Sequence, residues 1–330
     1  MNTRTKENFS SALGFVIKYR VLFILAILCI GIALVRPVFF NPQNLINVLR
    51  QQSAGVVLAL GFTLVLGTGG IDLSVGCMIG MLGIIMAKLS KVPGMPMIVV
   101  LLCGAAIAVV CGLLNASIIN TFHLPPFIVT LATMSVFKGV NYIISDTTPV
   151  NNIASYMLVP GQGSLFGVPI LVWIMAVATV ILWVLINKTL FGRQAIAMGG
   201  NSEAAKVSGV NTKLVNSGVF ITIALCAFVS SVMITGRASS AQPAAGQGME
   251  MDAIAASVIG GTPMTGGDAK VIGTLLGAMI VGVINNGLNL MNVNTNVQLV
   301  VKGALILFAV ILDAQSAQFF KNSLIKKASN

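Results

Sequence analysis

Charge is scarce in this chain. Only 8% of its 330 residues are Asp, Glu, Lys or Arg, against about 25% in a soluble domain. That is too few to cover a water-facing surface. Aromatic residues are thin as well, at 6%, and no basic run is interleaved with them, so a nucleic-acid partner is excluded. There is one histidine, His123, and the cysteines number five, Cys29, Cys77, Cys103, Cys111 and Cys226, with no CxxC among them. This leaves no zinc site, triad or disulfide framework to build, and the cysteines read as small buried hydrophobes. A phosphate loop is missing too. Its nearest approach, Gly261 to Gly267, has glycine where the phosphate-binding lysine must stand, and Asp72 stands where a dinucleotide fingerprint needs its third glycine. No cofactor and no nucleotide hydrolysis by this chain are expected.

What is present is apolar length. The chain is 56% hydrophobic, and its runs do not alternate with period two, which excludes the strands of about ten residues that build a membrane barrel. Lipid then leaves helices. The reading is an all-α integral membrane protein, a polytopic bundle of about ten segments, some broken or re-entrant. On the scale of about 20 residues per crossing, spans are expected near 20–37, 51–67, 74–91, 96–119, 125–145, 168–187, 214–234, 268–288 and 296–314, with a shorter run at 251–262. The first run lacks a cleavage signal and reads as an uncleaved span. Residues 1–19 and 316–330 read as tails and 20–315 as one membrane domain.

Basic residues set the orientation. Arg4, Lys6, Lys18 and Arg20 precede the first span, Lys321, Lys326 and Lys327 follow the last, and the loop 188–213 holds Lys188, Arg193, Lys206 and Lys213 against Glu203 alone. These segments should be cytoplasmic, whereas 144–167, with neither Lys nor Arg, should face outward. Lys88 and Lys91 fit poorly, being left outside. Lys138 and Lys302 sit inside apolar runs, where snorkelling or pairing with a carboxylate is the default.

Two places interrupt the apolar pattern. "GTGGIDLSVG" (67–76) puts Gly70, Asp72 and Ser74 between two apolar runs. Asp72 reads first as a cap for the span starting near Ser74, and second as a contact for substrate or pathway water. Gln242-Pro243 opens the other interruption, which leads to Glu250 and Asp252. Those carboxylates suit a helix N-terminus; on an outward face they would also meet basic residues of an incoming protein. "GGIDLSVGCMIG" (69–80) and "GGDAKVIGTLLG" (266–277) share a weak internal similarity.

The loop 188–213 carries the most specific signal. Asn201 or Ser202 caps a short helix expected from Glu203 to Ser208, Glu203 complements its dipole, and Gly209 stops it. Glu203-Ala204-Ala205-x-x-x-Gly209 resembles the EAA-x3-G core that permease subunits of bacterial ATP-binding cassette (ABC) importers present to their ATPase. The surrounding Gly192, Arg193, Gly199, Gly200 and Asn201 resemble the ribose/galactoside/autoinducer-2 branch of those permeases. So do "GIDLSVG", "PPFIVTLATM", "SSAQPAAGQGMEMDAIAASVIGGT", "GGDAKVIGTLLGA" and "NNGLNL", in the same order. The longer EAA pattern's I-x-L-P tail is absent. The resemblance implies a permease dimer in the inner-membrane lipid, a separate ABC ATPase subunit docked on the 188–213 loop, and an extracytoplasmic sugar-binding protein. It implies monosaccharide import by alternating access. A branched-chain amino-acid permease of the same superfamily and a proton-coupled secondary transporter are the alternatives.

Overall fold

The computed structural model describes residues 20–305, 307, 310 and 311. The two expected tails, 1–19 and 316–330, lie outside the described residues, as does the end of the span expected at 296–314. The chain is a helical bundle: α1 (Arg20–Val35), α2 (Pro42–Gly67), α3 (Val75–Ser90), α4 (Met97–Phe122), α5 (Pro126–Ser145), α6 (Ile170–Lys188), α7 (Leu190–Gly200), α8 (Ser202–Val207), α9 (Thr212–Ala238), α10 (Met249–Ile259) and α11 (Val271–Leu290). A last helix begins at residue 295.

The termini of these helices follow from local chemistry. Asn41 accepts the Gln43 amide at 2.9 Å and Pro42 opens α2, satisfying one orphan N–H and placing proline where its missing N–H is harmless. That cap starts α2 nine residues before the expected 51, because Gln43, Asn44, Arg50, Gln51 and Gln52 dilute the hydropathy of a stretch that is nonetheless helical. Asn211 caps α9 in the same way. His123 ends α4 in the left-handed region ahead of Leu124-Pro125-Pro126, where proline opens α5. Between α5 and α6 the chain makes two single turns and a hairpin, Ser164–Leu165 against Val168–Pro169.

Six of the described helices are long and apolar enough to cross a membrane: α2, α4, α5, α6, α9 and α11. That is fewer than the ten segments expected. Of the other four, α3 and α10 are 16 and 11 residues long because each begins at a backbone break inside the bundle, α1 has 16 residues, and the helix from residue 295 runs to the edge of the described residues.

Helix α2 is the axis. It touches α6, α7, α9, α10 and α11, and its second half, Ala54 to Gly67, is buried almost all round. Hydroxyls stitch this core: Thr63 donates to Thr274 at 2.7 Å, Ser230 to the Ala54 carbonyl at 2.9 Å and Ser257 to the Ala59 carbonyl at 3.1 Å. Small polar residues of this kind hold membrane helices together where the hydrophobic effect cannot. The outer helices differ. Leu102 and Val110 on α4, Ile143 on α5 and Val180 and Ile181 on α6 are exposed, an apolar exterior suited to lipid. All five cysteines are free.

Candidate functional site

Two broken segments meet inside the bundle. The first runs from the end of α2 to the start of α3. Asp72 is fully buried; its Oδ1 accepts both the Ser74 amide at 2.9 Å and the Ser74 hydroxyl at 2.6 Å. Asn115 of α4 donates to the same hydroxyl at 2.9 Å. Asp72 therefore secures the N-terminus of α3, as its spacing before Val75 predicts. Gly70 is buried beside it.

The second break spans 239–248, between α9 and α10. It is pinned at its outer end by paired backbone bonds between Val150 and Ala241. Pro243 is buried and Gln242 exposed. Asn141 of α5 joins the start of α3 to the second break by donating to the Cys77 carbonyl at 2.9 Å and to the Pro243 carbonyl at 3.2 Å. Glu250 is 7% exposed and accepts the Gly248 amide at 3.2 Å, while its other oxygen presses on Gly76, where any side chain would overlap it. Asp72 Oδ2, Asn115 Oδ1, Asn141 Oδ1 and Glu250 Oε2 are all buried acceptors without a partner among the described residues.

Glu250 and Asp252 both lie in the first turn of α10, where a carboxylate complements the helix dipole. Neither is displayed for an incoming protein. Glu250 is inside the bundle, and Asp252 pairs with Lys302 at 2.7 Å. Lys302 thus takes the carboxylate expected of a basic residue in an apolar run, whereas Lys138 is exposed on α5.

The 188–213 loop is folded more fully than its sequence suggests. One short helix was expected; the structure has two, at a sharp bend. Thr189 accepts the Gly192 amide at 3.1 Å and starts α7. Asn201, not Ser202, caps α8 by accepting the Ala204 amide at 2.9 Å. Gly209 ends the pair at φ +88°. The signal for α7 was present in Leu190, Phe191, Ala195 and Met198, which recur at helical spacing behind a threonine cap. On α8 only Ala205 is buried; Glu203, Ala204 and Lys206 are exposed, and Val207 is 88% exposed. Arg193 is exposed as well, and Gly192 is buried against the Ile186 carbonyl.

The two regions touch. Gly199 and Gly200 close α7, and Gly199 lies directly on the Gly67 carbonyl, 2.8 Å from the Thr68 Cα to any added side-chain carbon. The Gly267 amide donates to that same Gly67 carbonyl at 2.9 Å. Gly266, at φ +82°, is wedged between the Gly199 carbonyl and the Gly69 amide. Hence three backbones meet in direct contact at these glycines, with Ile196 and Ala269 packed beside Gly67: the end of α2, the end of α7, and the turn from α10 to α11. The two internally similar stretches, 69–80 and 266–277, touch here at their first residues, Gly69 and Gly266. Among the described residues no group of His, Cys, Asp and Glu is placed to hold a metal.

Comparison with known proteins extends this picture. Residues 44–310 match the family model described as branched-chain amino acid transport system / permease component. The chain is 40% identical to the ribose import permease protein RbsC of Bacillus subtilis, over 89% of this chain and 91% of that one. It is 37% identical to RbsC of Escherichia coli K12, over 95% and 99%, and 36% identical to the D-allose transport system permease protein AlsC of the same organism, over 93% and 94%. No solved structure matches the chain. A bundle of apolar helices with two interior breaks, matched to transport permeases over nearly its whole length, is a multi-pass membrane protein, and the chain belongs to the permease-component family of these transport systems.

Proposed function

We propose that this chain is the membrane subunit of an ATP-driven importer of a monosaccharide, moving the sugar by alternating access. The observation that carries the reading is the α7–α8 pair: an exposed helix, seated by bare backbone on the end of the central membrane helix. A separate ATPase would grip α8 through Glu203, Ala204, Lys206 and Val207. Closure of that ATPase on nucleotide would then press α7 against Gly67 and shift the break that carries Asp72. The chain's relatives, named for ribose and allose, supply the substrate class; the unpaired acceptors of Asp72, Asn115, Asn141 and Glu250 suit a path that takes water and hydroxyl groups.

In this reading α3 and α10 complete their crossings through the non-helical 68–74 and 239–248. With α1 and the helix from residue 295 the crossings number ten, and both ends of the chain face the cytoplasm of a bacterial inner membrane. Two copies flank the path, lipid covers α4 to α6, and an extracytoplasmic sugar-binding protein docks opposite α8. Basic residues near α8 and their absence from 144–167 support this orientation.

The test is reconstitution. Proteoliposomes carrying the chain with an ABC ATPase subunit and a sugar-binding protein from the same organism should take up D-ribose, D-allose or D-galactose only with internal ATP, and the chain alone should hydrolyse none. ATP-independent uptake would return the proton-coupled reading; uptake of leucine in place of sugar would return the amino-acid one.

A further inference from the structure

A cavity of about 190 Å³ opens between α2, α9, α10 and α11, lined by Gln51, Gln52, Ile234, Arg237, Met249 and Asp252 among others. None of these except Asp252 was singled out by the sequence. Arg237 is in the last turn of α9, so the cavity lies about 37 Å from the α8 end of that helix at 1.5 Å per residue. Its polar groups are only partly used. Arg237 donates from Nη1 to the Gln51 carbonyl at 3.1 Å, which leaves the rest of its guanidinium fork open. Among the described residues the side-chain amides of Gln51 and Gln52 have no hydrogen-bond partner. Lys302 engages Oδ2 of Asp252 and leaves Oδ1 free.

We propose that this cavity is a holding site for the transported solute, an uncharged polyhydroxylated molecule of monosaccharide size; the proposal rests on the sugar-import reading. The chemistry is that of hydroxyl recognition. Each sugar hydroxyl both donates and accepts, so it needs amides, a carboxylate and a guanidinium together. Gln51, Gln52, Asp252 and Arg237 supply all three from three helices. The rest of the lining, Ile234, Met249, Ala253, Ala256 and Ala278 among them, is apolar and would cover the C–H face of a sugar ring. The volume is below the roughly 300–1,000 Å³ of drug-sized sites, which suits a single sugar ring. With Asp252 paired to Lys302, the exposed Arg237 has no carboxylate partner among the described residues and can turn its open N–H groups to a solute.

The test separates occupancy from transport. In a background without native cysteines, Gln52→Cys is labelled by a membrane-impermeant thiol reagent in the assembled transporter, with Val92→Cys as a control outside the cavity. The imported sugar should slow labelling at position 52 at least about threefold and leave position 92 unchanged. Gln52→Ala and Arg237→Gln should each lower sugar uptake roughly tenfold, the scale of one lost charge-assisted or paired hydrogen bond, with ATPase co-purification retained. If the wild type imports no sugar, the import reading falls and the holding site with it. If the wild type imports sugar but position 52 is unprotected, or both variants keep full uptake, the holding site alone falls. Stronger protection by ribose 5-phosphate than by the sugar would make the cavity an anion site and overturn the proposal.

Discussion

Asn141 ties the first turn of α3 to the second break, donating to the carbonyls of Cys77 and Pro243. Without it the Cys77 carbonyl keeps its place in the α3 ladder, but the buried Pro243 carbonyl loses its side-chain donor, at a cost of about 1–3 kcal/mol. Asn141→Leu should therefore lower the thermal midpoint of the detergent-solubilised protein well below that of Ser135→Ala, a change at an exposed hydroxyl on the same helix. Equal midpoints for the two variants would show that Asn141 does not make this tie. Asp72 differs in kind: its Oδ1 is occupied by Ser74 and its Oδ2 is free. Asp72→Asn keeps an acceptor for Ser74, so α3 should still start at Val75. An intact fold with lost uptake would then assign the free oxygen to the path.

At the scale of elements, α8 is a helix of six residues with one buried side chain, too short to be stable without its caps. Gly209→Val puts a β-branched residue at φ +88°, a conformation it strongly disfavours. Glu203→Lys opposes the dipole at the N-terminus and reverses the charge of the exposed face. Neither change enters the membrane core, so both variants should accumulate normally yet lose ATPase co-purification and sugar uptake together. Normal co-purification and uptake in both would remove α8 from coupling. The sequence made α8 legible because caps, charge and stop sit within nine residues of one another. It made both breaks legible too, since glycine and proline clusters inside apolar runs have few other uses. It did not show α7 resting on α2, because Gly67, Gly199 and Gly266 are far apart in the chain and a glycine leaves no pattern that marks its neighbour. Nor did it place Glu250, whose burial depends on Gly76 of another helix.

Across the whole molecule, the path proposed above requires opposite faces for residues 155 and 202, both exposed. Single cysteines at Ser155 and Ser202, in a background lacking the native five, should label from outside and only after permeabilisation, respectively. Labelling of both from one side would overturn the ten-crossing arrangement. The hydropathy of the outer helices made the bundle readable, whereas the interior contacts were not, since periodicity says which face is buried and not against what. The meeting of Gly67, Gly199 and Gly266 has one more consequence. Rotamers are where a protein ordinarily absorbs small displacements, and where Gly199 bears on the Gly67 carbonyl there are none, so a push on α7 passes to α2 backbone to backbone. A survey for groups that donate, accept or ionise would pass over these positions, yet a side chain at Gly199 would overlap the Gly67 carbonyl while leaving every polar residue in place.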